Sequence, residues 1–541
     1  MLARRSPLIS RSLQLAKLLA AALLLAMLIV PAATQTAPTQ APTPLPGSQP
    51  QSPNLPTAPA QPGTPTHDNS PAKTDVPGAG VTVEQKQGAE GPAQPQTESE
   101  PPQHPITKAE AKDLFRSVDQ ILDFASNDTG LPVRHSVKRK LITRRAVESY
   151  VDKRIKDDKD TQRLERSQAI LKKFGLLPPD YDLHTEFLKL LGEQVAAYYD
   201  AKTKTVNLLD WVQPDLQKPV LAHELTHALQ DQAVGLEKWG LAGAKDDRPE
   251  PDQQEQVIEE AQAARQAVTE GQAMIVLLDY SLAPLGKTVA TAPEVADALR
   301  AGMGDSKDSP VFAAAPMFLR ESMLMPYTFG IDFVRSVLVK QGKEAAFGGM
   351  LAHPPVDTRQ IMQPETYLTG QVVEPLKVPD LDRLVGPDYE RYDFGDMGEF
   401  DVYLLTKQYA PKEDARKIYE HWRGGYYFAV HPKDAPKDEI ALLYLSRWDS
   451  PEAATAFAKL YFDYAPKRYP QWSKNGVSVA SVGGGSEAET WAMGSGKDRV
   501  HLERKGKDLL IIEGFDRATS EQLSSALLSG GKTSPQQTAS R

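Results

Sequence analysis

The chain has 541 residues, 44 prolines, no cysteine and a formal charge of −9 from 62 basic and 71 acidic side chains. Without cysteine there can be no disulfide scaffold, thiolate zinc site, thiol nucleophile or iron–sulfur cluster, so any metal must be held by His, Asp or Glu. The acidic balance argues against nucleic acid as the main partner.

In chain order, the first segment is basic and free of acids (MLARRSPLISRSLQLAK), followed by 13 unbroken apolar residues, Leu18–Val30, and the small-residue run PAATQTA. This is the pattern of a secretory signal peptide over residues 1–33. Thirteen helical residues cover about 20 Å, short of a ~30 Å hydrocarbon core. Export is therefore expected, with an extracytoplasmic site of action and membrane attachment only if the segment stays uncleaved. Seventeen prolines lie between Pro38 and Pro105, among Gln, Thr, Ala and Gly. Segment 34–105 cannot bury enough apolar surface to offset its ordering entropy and is expected to be a disordered, PPII-rich spacer. The tail, 533–541, is expected to be disordered as well.

Thr107 and Glu110 have capping-box spacing, and Leu114, Val118, Ile121, Leu122 and Phe124 recur at helical intervals. Helical pattern continues to Leu191, with breaks near Gly130–Pro132 and Pro178–Pro179; the basic run Arg134–Arg145 is expected to be a solvated helix face. Val195–Asp210 predicts two short strands around an Asp200–Thr205 turn. Helices follow over Lys218–Ala233, Asp252–Ser281 and Pro316–Val339, separated by a polar loop, Leu241–Pro251, and a mobile-looking stretch, Ala283–Ser309. His353–Pro375 lacks periodicity. Beyond Asp393 the pattern turns mixed: helix Pro411–Trp422, strands Tyr426–His431 and Ile440–Trp448, helix Pro451–Tyr464, strands near Glu489–Met493, Arg499–Arg504 and Leu509–Glu513, and helix Thr519–Leu528. The expected class is α+β: a mainly helical domain with a small sheet over 106–392, then a smaller α+β module with an antiparallel sheet over 393–532, loosely ferredoxin-like in its αββα order.

The chemistry is concentrated in LAHELTHALQDQ. His223 and His227 stand four residues apart and so share one helix face, where two imidazoles can point at one ion. Glu224, about 100° around the helix, comes near the open coordination position without being a ligand and can act as general base. The helix is otherwise strongly apolar (Val220, Leu221, Leu225, Ala228, Leu229), which weighs against two merely solvated histidines. After His227 the next histidine is His353, so the third ligand is sought among carboxylates. Glu270, flanked by Ala267, Val268, Ala273 and Met274, is favoured over Glu259 and Glu260. Asp231 is the candidate partner for a metal-bound imidazole.

His223-Glu224-Leu225-Thr226-His227 with a helical Glu270-Gly271 resembles the glutamate-ligand branch of the zincin metallopeptidases, the gluzincins. QVAAYYD (194–200), HELTHALQDQ, TEGQA (269–273), PYTFGIDFV (326–334) and PPVDTRQIMQPETY (354–367) further resemble a group of secreted or periplasmic bacterial zincin-like proteins, over roughly residues 110–400. The resemblance implies a zinc endopeptidase, one Zn²⁺ held by His223, His227 and Glu270, with Glu224 exchanging protons between water and the leaving amine of a peptide or protein substrate. Two departures stand out. The thermolysin-like pattern places an aspartate four residues after the glutamate ligand, where this chain has Met274, and a histidine expected before Pro364-Glu365 is Gln363. For oxyanion stabilisation Tyr327 is the first candidate, with His353 and Arg359 behind it. Thr205–Leu209 is expected to offer an edge to an extended peptide. The competing reading is an exported, envelope-associated binding protein with a structural or vestigial metal site, supported by the aromatics of the last module (Trp422, Trp448, Trp472, Trp491).

Overall fold

The computed structural model describes residues 106–143, 145–146, 158–193, 197–241, 251–303, 309–436, 439–468, 480–482, 488–494 and 499–528. The expected signal peptide, spacer and C-terminal tail lie outside the described residues.

The fold is α+β. Its first helix, α1 (Lys108–Thr129), is capped as its spacing predicts: Glu110 N–H donates to Thr107 Oγ1 (3.2 Å), and Thr107 N–H donates to the Glu110 carboxylate (2.6 Å). The basic run becomes strand β1 (Lys138–Ile142), which corrects the expected helix face. It pairs in parallel with β3 (Thr205–Leu209), a long-range contact that local periodicity does not report, and Arg139 is anchored bidentately on Asp119. Helices α2 (Asp158–Phe174) and α3 (Leu183–Glu193) follow. Strand β2 (Tyr198–Asp200) then pairs antiparallel with β3, so the small sheet has the order β1-β3-β2. Both edges of β3 are therefore occupied, and the expected peptide-binding edge is not on Thr205–Leu209.

Next come α4 (Pro214–Val234), α5 (Pro251–Leu282), α6 (Pro293–Gly302) and α7 (Met317–Gln341). Helix α6 falls in the stretch expected to be mobile; Pro293 opens it and Ala296 anchors it in the core. The aperiodic segment after His353 holds two single-turn helices, Thr358–Met362 and Pro364–Leu368, too short to generate a readable period.

Seven antiparallel strands, β4 (Tyr389–Asp396), β5 (Trp422–Pro432), β6 (Ala441–Trp448), β7 (Ala480–Val482), β8 (Ala488–Met493), β9 (Val500–Lys505) and β10 (Asp508–Glu513), form the second sheet in the order β4-β5-β6-β10-β9-β8-β7. These are two antiparallel meanders joined at the β6–β10 pair, not a ferredoxin-like order. Helices α8 (Glu399–Tyr409), α9 (Lys412–Tyr419), α10 (Pro451–Arg468) and α11 (Arg517–Leu528) accompany this sheet. Strict alternation splits the central strands between two cores. Tyr427, Ala429, Leu442, Tyr444, Leu509 and Ile511 join the core of the helical part, whereas Tyr426, Phe428, Leu443, Leu445, Leu510 and Ile512 pack on the opposite face with Leu523 and Leu528 of α11. The sheet is thus bound to the helical part: Phe174 of α2 meets Tyr427 and Tyr444 edge-on at 6.0 and 5.8 Å, and Arg391 of β4 holds Asp252 of α5 through two bonds of 2.7 and 2.8 Å. Among the described residues no helix is long and apolar enough to cross a membrane.

Candidate metal centre

Helix α4 opens with Pro214 in its first turn and closes on Gly235, whose φ of 69° lets its N–H reach Asp231 O. Buried Gln217 fixes the helix against the sheet. Its carbonyl accepts from Leu209 N (3.0 Å), and its amide donates to Leu209 O (3.0 Å) and Val212 O (2.6 Å). The other wall comes from the crossing of α5 and α7, where Gly271 and Gly330 bring two backbones into contact; a Cβ on Gly271 would lie 2.5 Å from the Gly330 carbonyl carbon. This approach sets Glu270 against α4, and it sets Tyr327, one turn before Gly330, against Glu270.

His223, His227 and Glu270 converge as the sequence predicts. The two Nε2 atoms are 3.1 Å apart, and each lies 3.3 Å from Glu270 Oε2. Tetrahedral ligands about 2.0–2.1 Å from one ion are separated by about 3.3–3.4 Å, so the three atoms already have the spacing of one face of such a site. Three donors, two nitrogen and one oxygen, can hold a metal ion here. Glu224 stands beside them with Oε2 accepting the Tyr199 amide (2.7 Å), which leaves Oε1 for proton exchange. Because β2 is an edge strand, the Tyr199 amide can point away from β3 and towards the helix. His223 is 1 % exposed, and Glu224 and Glu270 are each 3 % exposed.

The electrostatics suit a bound cation. Burial lowers the His223 pKa, and the His227 charge acts in the same direction against Glu270. Burial also disfavours the His227 cation, but the carboxylates of Glu270 and Glu224 outweigh it and raise that ring to about 9. Burial alone would raise Glu270, yet the two imidazoles hold it well below the usual carboxylate range. Glu224 is pushed up to about 7 by burial, partly offset by His227. The proton on His227 is the charge an incoming ion would displace.

The remaining predicted residues divide. Tyr327 is in the centre: its ring stacks on His223 (centroids 6.3 Å, 25°), and its hydroxyl donates to Glu270. Burial and these two carboxylates raise its pKa well above the ordinary value, so it stays a donor. His353 is exposed beyond Ala352, and its carbonyl accepts the Tyr367 hydroxyl (2.8 Å). Arg359 is buried beside Glu399 (4.0 Å) and donates to Gln371 (3.3 Å), an ion-pair role away from the three ligands. Gln363 donates to that same Glu399 (2.7 Å) and to Glu420 O (3.1 Å). Asp231 touches neither imidazole: it accepts from the Tyr199 hydroxyl (2.8 Å), Lys204 Nζ (2.5 Å) and Leu236 N (3.0 Å), which ties β2 and its turn to α4. The residue bonded to a ring nitrogen is its neighbour Gln230, whose Oε1 lies 2.8 Å from His227 Nδ1. Sequence reasoning missed Gln230 and Tyr199; a glutamine three residues after His227, on the same face of an apolar helix, was the available signal.

Glu259 and Glu260, the alternative ligands, lie in a different acidic group facing β4 and α8. Glu259 accepts Asp396 N (3.0 Å), and Glu260 accepts both the amide and the hydroxyl of Thr358 (2.8 Å each). Burial and the nearby Asp357 raise Glu260 to about 8. An unfolded glutamate ionises near 4.5, so the folded state binds the extra proton between that value and about 8, and this stability is lost as pH rises through 8. Glu260→Gln is accordingly expected to raise the thermal midpoint by a few degrees at pH 8.5 and to leave it unchanged or lower at pH 4. Equal shifts at both pH values would sink this assignment.

A domain-family model described as "Domain of unknown function (DUF8575)" matches residues 385–524, the seven-stranded sheet and its helices, and does not reach the His223 centre. No curated protein and no solved structure matches the chain.

Proposed function

We propose that this chain is a zinc-dependent peptidase with one metal centre at His223, His227 and Glu270. The observation that carries the reading is the 3.1–3.3 Å triangle of Nε2, Nε2 and Oε2 atoms with a separate carboxylate, Glu224, alongside. Zinc suits a site of two imidazoles and one carboxylate and, when bound, supplies Lewis acidity to a substrate carbonyl and to a water. Glu224 Oε1 takes the proton of the attacking water and returns it to the leaving amine, while the Tyr199 amide holds Oε2 in place. Tyr327 holds the Glu270 carboxylate through its hydroxyl and keeps the His223 ring oriented by stacking. Substrate is an extended peptide or protein segment running past β2, the strand that touches the base. The sequence pattern of residues 1–33 supports an activity outside the cytoplasm.

A second reading, an exported binding protein with a purely structural metal, is favoured by the burial of the centre: His223, Glu224 and Glu270 are each 3 % exposed or less. One experiment separates the two. The purified protein is loaded with zinc and incubated with a peptide library, alongside Glu224→Gln. Peptidase function predicts one zinc per chain in both proteins, with cleavage reduced by about 10²–10⁴-fold in Glu224→Gln. Equal zinc with no cleavage by the unmodified protein supports the structural reading, and a chain that takes up no zinc removes both.

A further inference from the structure

We infer that Gln230 and Gln272 are positioning residues for the centre, forming a directional chain of hydrogen bonds that turns the lone pair of His227 Nε2 towards the ion. The inference rests on the metal reading above and extends that centre across α5 to the turn after α7. Residues Ala345–Gly349 form a single π turn there, closed by Met350 N on Ala345 O. It presents the carbonyls of Ala346 and Phe347 to buried Gln272, whose Nε2 donates to them at 2.8 and 3.1 Å. π turns of this kind recur at functional sites because they place backbone groups off the regular helical ladder.

The polarity then propagates without choice. A carbonyl oxygen only accepts, so the NH₂ of Gln272 must face the turn and its Oε1 must face Gln230. Gln230 Nε2 donates to that oxygen at 2.9 Å and to Thr269 O at 3.0 Å, which leaves Gln230 Oε1 directed at His227 Nδ1, 2.8 Å away. An amide oxygen accepts only, so Nδ1 must carry the hydrogen, and Nε2 is the nitrogen that faces His223 and Glu270 as a ligand. Gln230 and Gln272 are both fully buried, so no water competes for these bonds. The other imidazole is held differently: His223 Nδ1 is buried without a hydrogen-bond partner, and its ring is oriented by Tyr327. The relay also gives a role to two letters of the sequence, the first glutamine of HALQDQ and that of TEGQA.

The test is a zinc competition titration against a chromophoric chelator, with near-UV circular dichroism as the check of folding. Gln230→Met and Gln272→Met, similar in length but unable to continue the chain, are each expected to weaken zinc binding by about 10–100-fold. The double variant should be no weaker than Gln230→Met, since either change breaks the same chain. In a His227→Ala background Gln230→Met should cost nothing further. Additive losses, or an undiminished loss in that background, would show a general packing role and overturn the relay. Should the variants not fold, the unmodified protein decides: ¹⁵N-histidine NMR of the zinc-loaded chain should show His227 protonated on Nδ1 and ligating through Nε2, and the reverse assignment overturns the inference. A wild type that binds no zinc defeats the metal reading itself, whereas a wild type that binds zinc as tightly as a folded Gln230→Met defeats only the relay.

Discussion

Glu270→Ala should lose stoichiometric zinc binding, while Glu259→Ala, eleven residues earlier on the same helix, should retain it. The two carboxylates have different surroundings despite their shared helix. Glu270 Oε2 lies 3.3 Å from each imidazole Nε2 and also accepts the Tyr327 hydroxyl, whereas Glu259 accepts the Asp396 amide at the sheet. Removing one partner from a buried set of charges costs about 3–5 kcal/mol, equivalent to roughly 10²–10⁴-fold in affinity. The metal-free protein should change as well. With Glu270 gone, burial acts on His227 with only Glu224 and the Gln230 hydrogen bond to oppose it, so its pKa should fall from about 9. That shift is readable by histidine NMR without any metal. Retention of wild-type zinc affinity by Glu270→Ala would remove Glu270 from the ligand set and reopen the choice among carboxylates.

The centre was legible because an i, i+4 histidine pair is a local pattern and Glu270 sits in a long, readable helix. What could not be read is what non-local pairing decides. The basic run around Lys138–Ile142 has no period of its own; parallel pairing with β3 makes it a strand. That strand, together with β2, closes both edges of Thr205–Leu209 and leaves β2 as an outer strand of the small sheet, where the Tyr199 amide reaches Glu224. Asp231 was expected to partner a metal-bound imidazole, and Gln230 was passed over unnoticed, for a related reason. Both lie near His227 on α4, but Asp231 faces the β2–β3 turn, where Lys204, at a φ of 56°, delivers its ammonium. Charge made Asp231 the more conspicuous candidate, whereas the π turn that orients Gln230 through Gln272 has no sequence signature. The strand pattern of the last module was visible because β5, β6 and β10 are apolar on both faces. Its order was not, since antiparallel meanders of similar strands can be joined at more than one pair.

Gly271→Ala tests whether the α5–α7 crossing, rather than the histidine helix alone, builds the site. The added Cβ would lie 2.5 Å from the Gly330 carbonyl carbon and 2.9 Å from its Cα, and these are backbone atoms that no rotamer change can move aside. Relief requires the helices to separate, which parts Glu270 on α5 from Tyr327 on α7 and disturbs the carboxylate that faces α4. Overpacking of this kind typically costs about 1–3 kcal/mol, and a helix-to-helix backbone collision belongs at the upper end. At about 2–4 °C per kcal/mol for larger domains, the thermal midpoint should fall by roughly 5–10 °C. Zinc affinity should fall in the same variant although no ligand has been changed. Gly302→Ala, where a Cβ meets open space, is the matched control and should alter neither property. The diagnostic quantity is the ratio between the two losses. A crossing that only stabilises the fold would lower the midpoint and leave the zinc affinity of the folded protein unchanged. A crossing that sets the position of Glu270 must lower both, because a displacement of a few tenths of an ångström already takes an oxygen outside the narrow range of metal–ligand distances.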